Sequence, residues 1–195
     1  MARRFMILNK GWMSNTMLHG HYPILQAVVL SMPHVFSKNV SFSLITALVE
    51  ALSSLLFDEN PCLVEKSICV LSNIIANGPV YREFVLRSNI LSALNQPFNQ
   101  HLNSIHVMKQ LSLMLKNICQ NDKIGVSIEY VPKIIPMLDV LIAHMDDSIL
   151  CNALSAITHL TDSSSDHASL LISSGIINKL YKFLGASNKH TVLLI

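Results

Sequence analysis

The chain has 195 residues, of which 51% are hydrophobic and 13% charged, with a formal net charge of +2. That length and apolar content suffice for one sizeable core, and so weak a charge leaves no electrostatic footprint for nucleic acid. The mean hydropathy of +0.44 raises the question of a membrane span. However, the longest nearly uncharged apolar stretch, Tyr22 to Phe36, is broken by Pro23, Gln26, Ser31, Pro33 and His34 and falls short of the roughly 20 residues a span needs. Neither nucleic acid nor a membrane is expected as a partner.

In chain order, residues 1–40 hold no acidic residue and the only Trp, Trp12. Arg is too scarce there for a transit peptide, and the apolar run after Arg3-Arg4 is only Phe5 to Leu8, so no secretory leader is read. The segment reads as a divergent or partial leading repeat. From Val40 to Phe57, the positions Phe42, Leu44, Ile45, Leu48, Val49, Leu52, Leu55 and Leu56 mark a helix, with Asp58-Glu59-Asn60-Pro61 as its turn. Pro61 starts the next helix well, because its missing N–H falls among the unsatisfied donors of a first turn. Ile68, Val70, Leu71, Ile74 and Ile75 give that helix a broad apolar stripe. Asn77-Gly78-Pro79 ends it, with Gly78 expected in the left-handed conformation.

The next helices are read at Val80–Leu86, Ile90–Phe98 and Ser104–Cys119, followed by a loop around Asn121. Ile134–Met145 and Ile149–Leu160 follow, the latter with Asp147-Ser148 as its cap region. Ser169–Leu184 is read as two short helices with Gly175 between them, and the chain stops at Ile195, early in what reads as a helix.

These elements recur. Asn73 in LSNI is followed 44 residues on by Asn117 in LKNI, and 42 further on by His159 in ITHL. Each lies after an apolar run and before a polar breaker: NGP at 77–79, QND at 120–122, DSSSD at 162–166. A helical period of about 40–47 residues is the signature of a stacked-repeat solenoid of the armadillo or HEAT kind.

The residues also carry a family resemblance. SICVLSNIIANGPVYREFVL resembles the third armadillo repeat of importin-α, and VPKIIPMLDVLIAHMDDSILCNALSAITHLTDSSSDHASLLISSGI is similar to later repeats of that family. The resemblance runs from about Ser41 to Lys189. It implies an all-α, right-handed superhelical solenoid of three-helix repeats, with about three and a half repeats over residues 41–195. Relative to that family, the chain reads as shortened at both ends. Only Arg3, Arg4 and Lys10 stand where the family has an arginine-rich importin-β-binding segment, which puts direct importin-β binding in doubt.

The function implied by the resemblance is binding of nuclear localisation signals on cargo proteins, in cytoplasm and nucleus. In that family each third helix carries WxxxN. An Asn carboxamide offers a donor and an acceptor that clamp the backbone of an extended peptide. A Trp one turn earlier holds the stem and ammonium of a Lys, and acidic groove residues select basic cargo. Here Asn73 and Asn117 match the Asn, and His159 stands where Tyr is usual. Cys69, Leu113 and Ser155 occupy the Trp positions, and Asn77 replaces the Asp of GDGP. At roughly 0.5–2 kcal/mol per absent Trp, three such losses weaken a basic peptide by roughly ten-fold to more than ten-thousand-fold. The alternative is a degenerate armadillo scaffold that binds other proteins without conventional nuclear-signal recognition.

Other chemistry is poorly supported. Cys62, Cys69, Cys119 and Cys151 form no CxxC pair, and the last three lie in helical patterns, which reads as reduced cysteines serving as small core residues in a cytosolic or nuclear protein. Of nine histidines, His19 and His21 are the closest pair, without metal-ligand spacing. The Ser163–Ser165 run near Asp162 and His167 lacks a nucleophile elbow, and GxxxxGK[ST] is absent. No enzyme, metal or cofactor is expected.

Overall fold

The computed structural model describes residues 42–121 and 124–184. The divergent segment 1–40, the Tyr22–Phe36 stretch, the His19/His21 pair and the chain end therefore lie outside the described residues. All regular elements among the described residues are helical: α1 (Phe42–Leu55), α2 (Pro61–Ala76), α3 (Pro79–Arg87), α4 (Ile90–Gln100), α5 (Ile105–Cys119), a 3-10 turn (Ile128–Tyr130), α6 (Val131–Ile142), α7 (Asp147–Ser163), α8 (Ser165–Ser173) and α9 (Ile176–Leu184).

Local chemistry sets most of the boundaries. Asn60 caps α2, its Oδ1 accepting the Cys62 N–H at 3.0 Å, and Pro61 opens the first turn. Asn77 closes α2, and Gly78 serves as the N-cap of α3. Gly78 is not left-handed as expected. With φ 131 and ψ 174 it lies in a region open only to glycine, so the chain turns between two helices without an intervening loop. Gly175, between α8 and α9, also has positive φ, at 78.

Three readings differ from the structure. The breaker read at 162–166 narrows to Ser164, because α7 runs on to Ser163 and α8 starts at Ser165 rather than Ser169. The helix expected over Ile134–Met145 runs earlier, Val131–Ile142, and leaves Met145 in the following turn, 98% exposed. The cap of α7 is Asp146 rather than Asp147-Ser148. Its Oδ1 accepts from the Ser148 and Ile149 N–H groups at 3.0 and 3.2 Å.

The helices form two layers. In the inner layer α2 packs on α5 and α5 on α7, and these are the most extensive helix contacts in the molecule. In the outer layer α4 packs on α6 and α6 on α9, while α1 covers α2. Between the layers lies one continuous core that includes Leu52, Leu56, Ile68, Leu71, Ile74, Leu94, Met108, Leu111, Leu138 and Ile149, all buried.

Successive repeats are also joined by polar contacts that span 38 to 45 residues of sequence. The buried guanidinium of Arg82 on α3 donates to the carbonyls of Gln120 and Ile124, closing the end of α5. His101 Nε2 donates to the Asp58 carbonyl at 3.2 Å, and His167 Nε2 to that of Val126 at 2.9 Å. Contacts about one repeat length apart are what a one-dimensional stack produces, since each repeat touches only its neighbours.

Candidate functional site

The inner face is built by α2, α5 and α7. On α5, Leu111, Met114, Leu115 and Ile118 are buried, which turns the arc His106, Lys109, Gln110, Leu113, Lys116 and Asn117 away from the core. Leu113 is its midpoint, an aliphatic side chain 37% exposed. On α2 the equivalent arc carries Glu65, Lys66, Cys69, Asn73 and Ala76, and on α7 it carries Cys151, Asn152, Ser155, Thr158 and His159. The seven residues singled out from sequence all lie on the inner helices or, for Asn77, at the end of one.

Their environments differ. Asn73 is exposed and its carboxamide is presented to solvent, while its main-chain carbonyl accepts a hydrogen bond from Asn77 Nδ2 at 2.7 Å. That bond accounts locally for Asn rather than Asp at position 77, because a carboxylate cannot donate to the C-terminal carbonyls of α2. Asn117 is half-buried, with Nδ2 donating to Ser72 Oγ on α2 at 3.0 Å. One amide N–H of the carboxamide is thereby committed to the neighbouring helix, leaving its second N–H and its oxygen for a ligand.

At two of the positions equivalent to the importin-α Trp, Cys69 and Ser155 are half-buried, and Ser155 Oγ donates back to the Cys151 carbonyl at 2.8 Å. Neither offers a ring face. Burial pushes the Cys69 thiol up, with Lys66 opposing and Glu65 adding to the shift. His159 is half-buried, and its carbonyl accepts from Ser163 Oγ at 2.7 Å.

Asn152 carries a role that sequence reasoning missed. Its Nδ2 donates to Ser112 Oγ on α5 at 3.1 Å, so the α5–α7 seam has its own Asn-to-Ser bond, as the α2–α5 seam has Asn117 to Ser72. The signal in sequence is a Ser on one inner helix and an Asn 40 or 45 residues later.

The remaining candidates resolve into structural roles. Ser164 is the N-cap of α8, with its Oγ 2.5 Å from His167 Nδ1, and His167 is buried with Nε2 held by the Val126 carbonyl. A histidine whose two nitrogens are both occupied this way is not poised as a base. All four cysteines are free thiols, of which Cys119 is buried while Cys69 and Cys151 are half-buried and Cys62 is exposed. The expectation of core cysteines therefore holds only for Cys119. Among the described residues no group of three His, Cys, Asp or Glu could hold a metal ion. No described helix is long and apolar enough to cross a membrane.

No protein-family model matches the chain. Similar proteins include importin subunit alpha-8 of Arabidopsis thaliana, 30% identical over 120 residues, covering 62% of this chain and 26% of that protein. Importin subunit alpha-3 of Caenorhabditis elegans is 31% identical over 106 residues, 54% of this chain and 20% of that protein. Importin subunit alpha-2 of Arabidopsis thaliana matches over 148 residues at 24% identity, covering 76% of this chain and 27% of that protein. The chain thus spans about a quarter of the length of these relatives.

Among solved structures, computationally designed armadillo repeat proteins for modular peptide recognition align with TM-score 0.66 at 20% identity, covering 87% of this chain and 72% of theirs. A designed armadillo repeat protein in complex with the peptide (KR)4 aligns with TM-score 0.64 at 19% identity, covering 76% and 61%. In fold this chain is an armadillo-repeat solenoid, and in sequence it is similar to importin-α subunits over 54–76% of its own length.

Proposed function

We propose that this protein is an importin-α-like adaptor that binds an extended segment of a partner protein along its inner face, and that it is not an enzyme. The observation that carries the reading is the placement of Asn73 and Asn117 at corresponding positions on adjacent inner helices, with carboxamide groups available to a peptide backbone. By its relation to importin-α subunits, the partner is cargo bearing a nuclear localisation signal, and the place of action is the cytoplasm and nucleus. Importin-β is not part of this proposal.

A second reading, an armadillo scaffold without conventional nuclear-signal recognition, is favoured by one specific observation. The three positions that would wall a lysine stem are a half-buried Cys69, an exposed Leu113 and a half-buried Ser155, with no aromatic ring among them.

Fluorescence anisotropy with a labelled lysine-rich nuclear-signal peptide tests both. Binding in the micromolar range or tighter that Asn73→Ala/Asn117→Ala abolishes supports the import adaptor. Absence of binding by a folded, helical sample supports the scaffold. Placing Trp at 69, 113 and 155 should then create basic-peptide binding. If that variant stays helical and still ignores the peptide, the inner face is not an importin-like groove.

A further inference from the structure

We propose that one edge of the solenoid, the row of turns leading from the outer helices into the inner ones, docks a basic amphipathic helix of a partner protein. This edge is distinct from the inner face and its role goes beyond the function proposed above.

Phe57, Leu102 and Met145 mark the row. Each lies two or three residues beyond the end of an outer helix, α1, α4 or α6, and they follow one another at 45 and 43 residues, the step of the repeat. Large apolar side chains are ordinarily buried, whereas these are 56%, 48% and 98% exposed. Two contacts bring the turns side by side. His101, next to Leu102, donates from Nε2 to the carbonyl of Asp58, next to Phe57, at 3.2 Å. Lys109 on α5 pairs with Asp146, next to Met145, at 3.0 Å. The exposed apolar groups therefore form one row, a side chain per repeat, rather than three scattered residues.

Charge selects the partner. The turns and the helix starts that follow them, 57–62, 101–106 and 143–148, hold Asp58, Glu59, Asp146 and Asp147 and no Lys or Arg. Lys109 offsets Asp146 alone. Glu59 and Asp147 are exposed and make no ion pair among the described residues. Inner helices begin at this edge and outer helices end there, so their macrodipoles oppose one another and the carboxylates set the sign. A second copy of the same edge, or an anionic membrane surface, would bring like charge onto it. Lys or Arg beside apolar side chains would pair with it.

Spacing selects the conformation. Packed helices lie about 8–10 Å apart, which sets the distance between successive members of the row. An α-helix returns to one face every seven residues, about 10.5 Å, whereas a strand returns every two residues, about 6.8 Å. Apolar residues at i, i+7 and i+14 of a partner helix therefore meet Phe57, Leu102 and Met145 in register.

The test titrates the full chain, by fluorescence anisotropy, with a labelled helical peptide carrying Leu at every seventh position and Lys beside it. Two control peptides carry Glu in place of Lys, or the same residues with Leu out of register. The expected result is binding of the Lys-flanked peptide alone. Phe57→Ser/Leu102→Ser/Met145→Ser should weaken it by about ten- to hundred-fold, and Glu59→Gln/Asp147→Gln by about two- to thirty-fold at low salt. All five residues are exposed, so circular dichroism should find both variants as helical as wild type. Asn73→Ala/Asn117→Ala should leave this binding in place; its loss there would put the peptide on the inner face and overturn the assignment to the edge. Equal binding of the Glu-flanked peptide overturns the charge match, and equal binding of the out-of-register peptide overturns the helical spacing. A dimer in sedimentation velocity that the triple Ser variant dissociates would show the edge covered by a second copy, which also overturns the proposal. So does absence of binding by a helical sample, whatever the lysine-rich nuclear-signal peptide does at the inner face.

Discussion

Asn117 on α5 reaches back across the inner face and donates its Nδ2–H to Ser72 Oγ on α2, 3.0 Å away and 45 residues earlier in the chain. Its counterpart Asn73, one repeat before, is exposed. The two asparagines proposed as equivalent clamps are therefore unequal. Asn117→Ala should lower stability by about 1 kcal/mol, the net worth of a typical hydrogen bond. Asn73→Ala, a surface change, should stay within about 0.5 kcal/mol. Urea unfolding of the two single variants beside the peptide titration separates the roles. Equal stability losses would mean that the Asn117–Ser72 bond contributes nothing.

Arg82 is a buried cation serving two main-chain carbonyls, those of Gln120 and Ile124. Arg82→Met keeps the aliphatic stem and strips those acceptors of their donors, an expected loss of about 2–5 kcal/mol for two charge-assisted bonds. Arg82→Lys should recover little of it, because one ammonium cannot reproduce the planar fork. Thermal unfolding followed by circular dichroism reads both, and a lysine variant as stable as wild type would contradict the role of the fork.

Gly78 caps α3 at φ 131 and ψ 174 with open space around its Cα. Gly78→Ala therefore meets no clash, and its whole cost is backbone strain of about 1–3 kcal/mol. A neutral effect on the urea midpoint would show that the α2–α3 turn relaxes into another geometry.

The Lys109 ammonium, followed by the backbone N–H groups of Ile149 and Ser148, holds the Asp146 carboxyl below the usual carboxylate range. The folded state thus binds this proton less readily than the unfolded chain. The contribution is present above the ordinary carboxylate value of about 4 and is lost as pH falls through that value towards the lowered one. Asp146→Asn keeps an acceptor for the cap and removes the titration. The stability difference between wild type and this variant should shrink steadily on acidification, and a difference that is flat with pH would rule out the pairing.

Burial pushes the Cys119 thiol up to about 12, against the opposing charge of Arg82. At neutral pH it is both inaccessible and almost wholly protonated. Native-state alkylation followed by mass spectrometry should mark exposed Cys62 first, half-buried Cys69 and Cys151 more slowly, and Cys119 only after unfolding. Early labelling of Cys119 would mean that the α5 face of the core opens readily.

The sequence by itself determined the helix count over 42–184, the breaks just before Pro61 and Pro79, the presence of one within 162–166, and the repeat step that brings Asn73 and Asn117 to matched places. These are local or periodic properties. A proline at a first turn, a glycine between helices and an apolar stripe at helical spacing act within a few residues, and recurrence at a fixed period can be counted along the chain.

What only the tertiary structure decided is the relation between neighbouring repeats. The Asn117–Ser72 and Asn152–Ser112 bonds and the Arg82 closure of α5 depend on how far each inner helix is rotated towards the next. A rotation of one residue, 100° on a helix, would turn Asn117 into the core or out to the rim. No local pattern specifies it, because it is set by how the side chains of two helices interlock across the shared core.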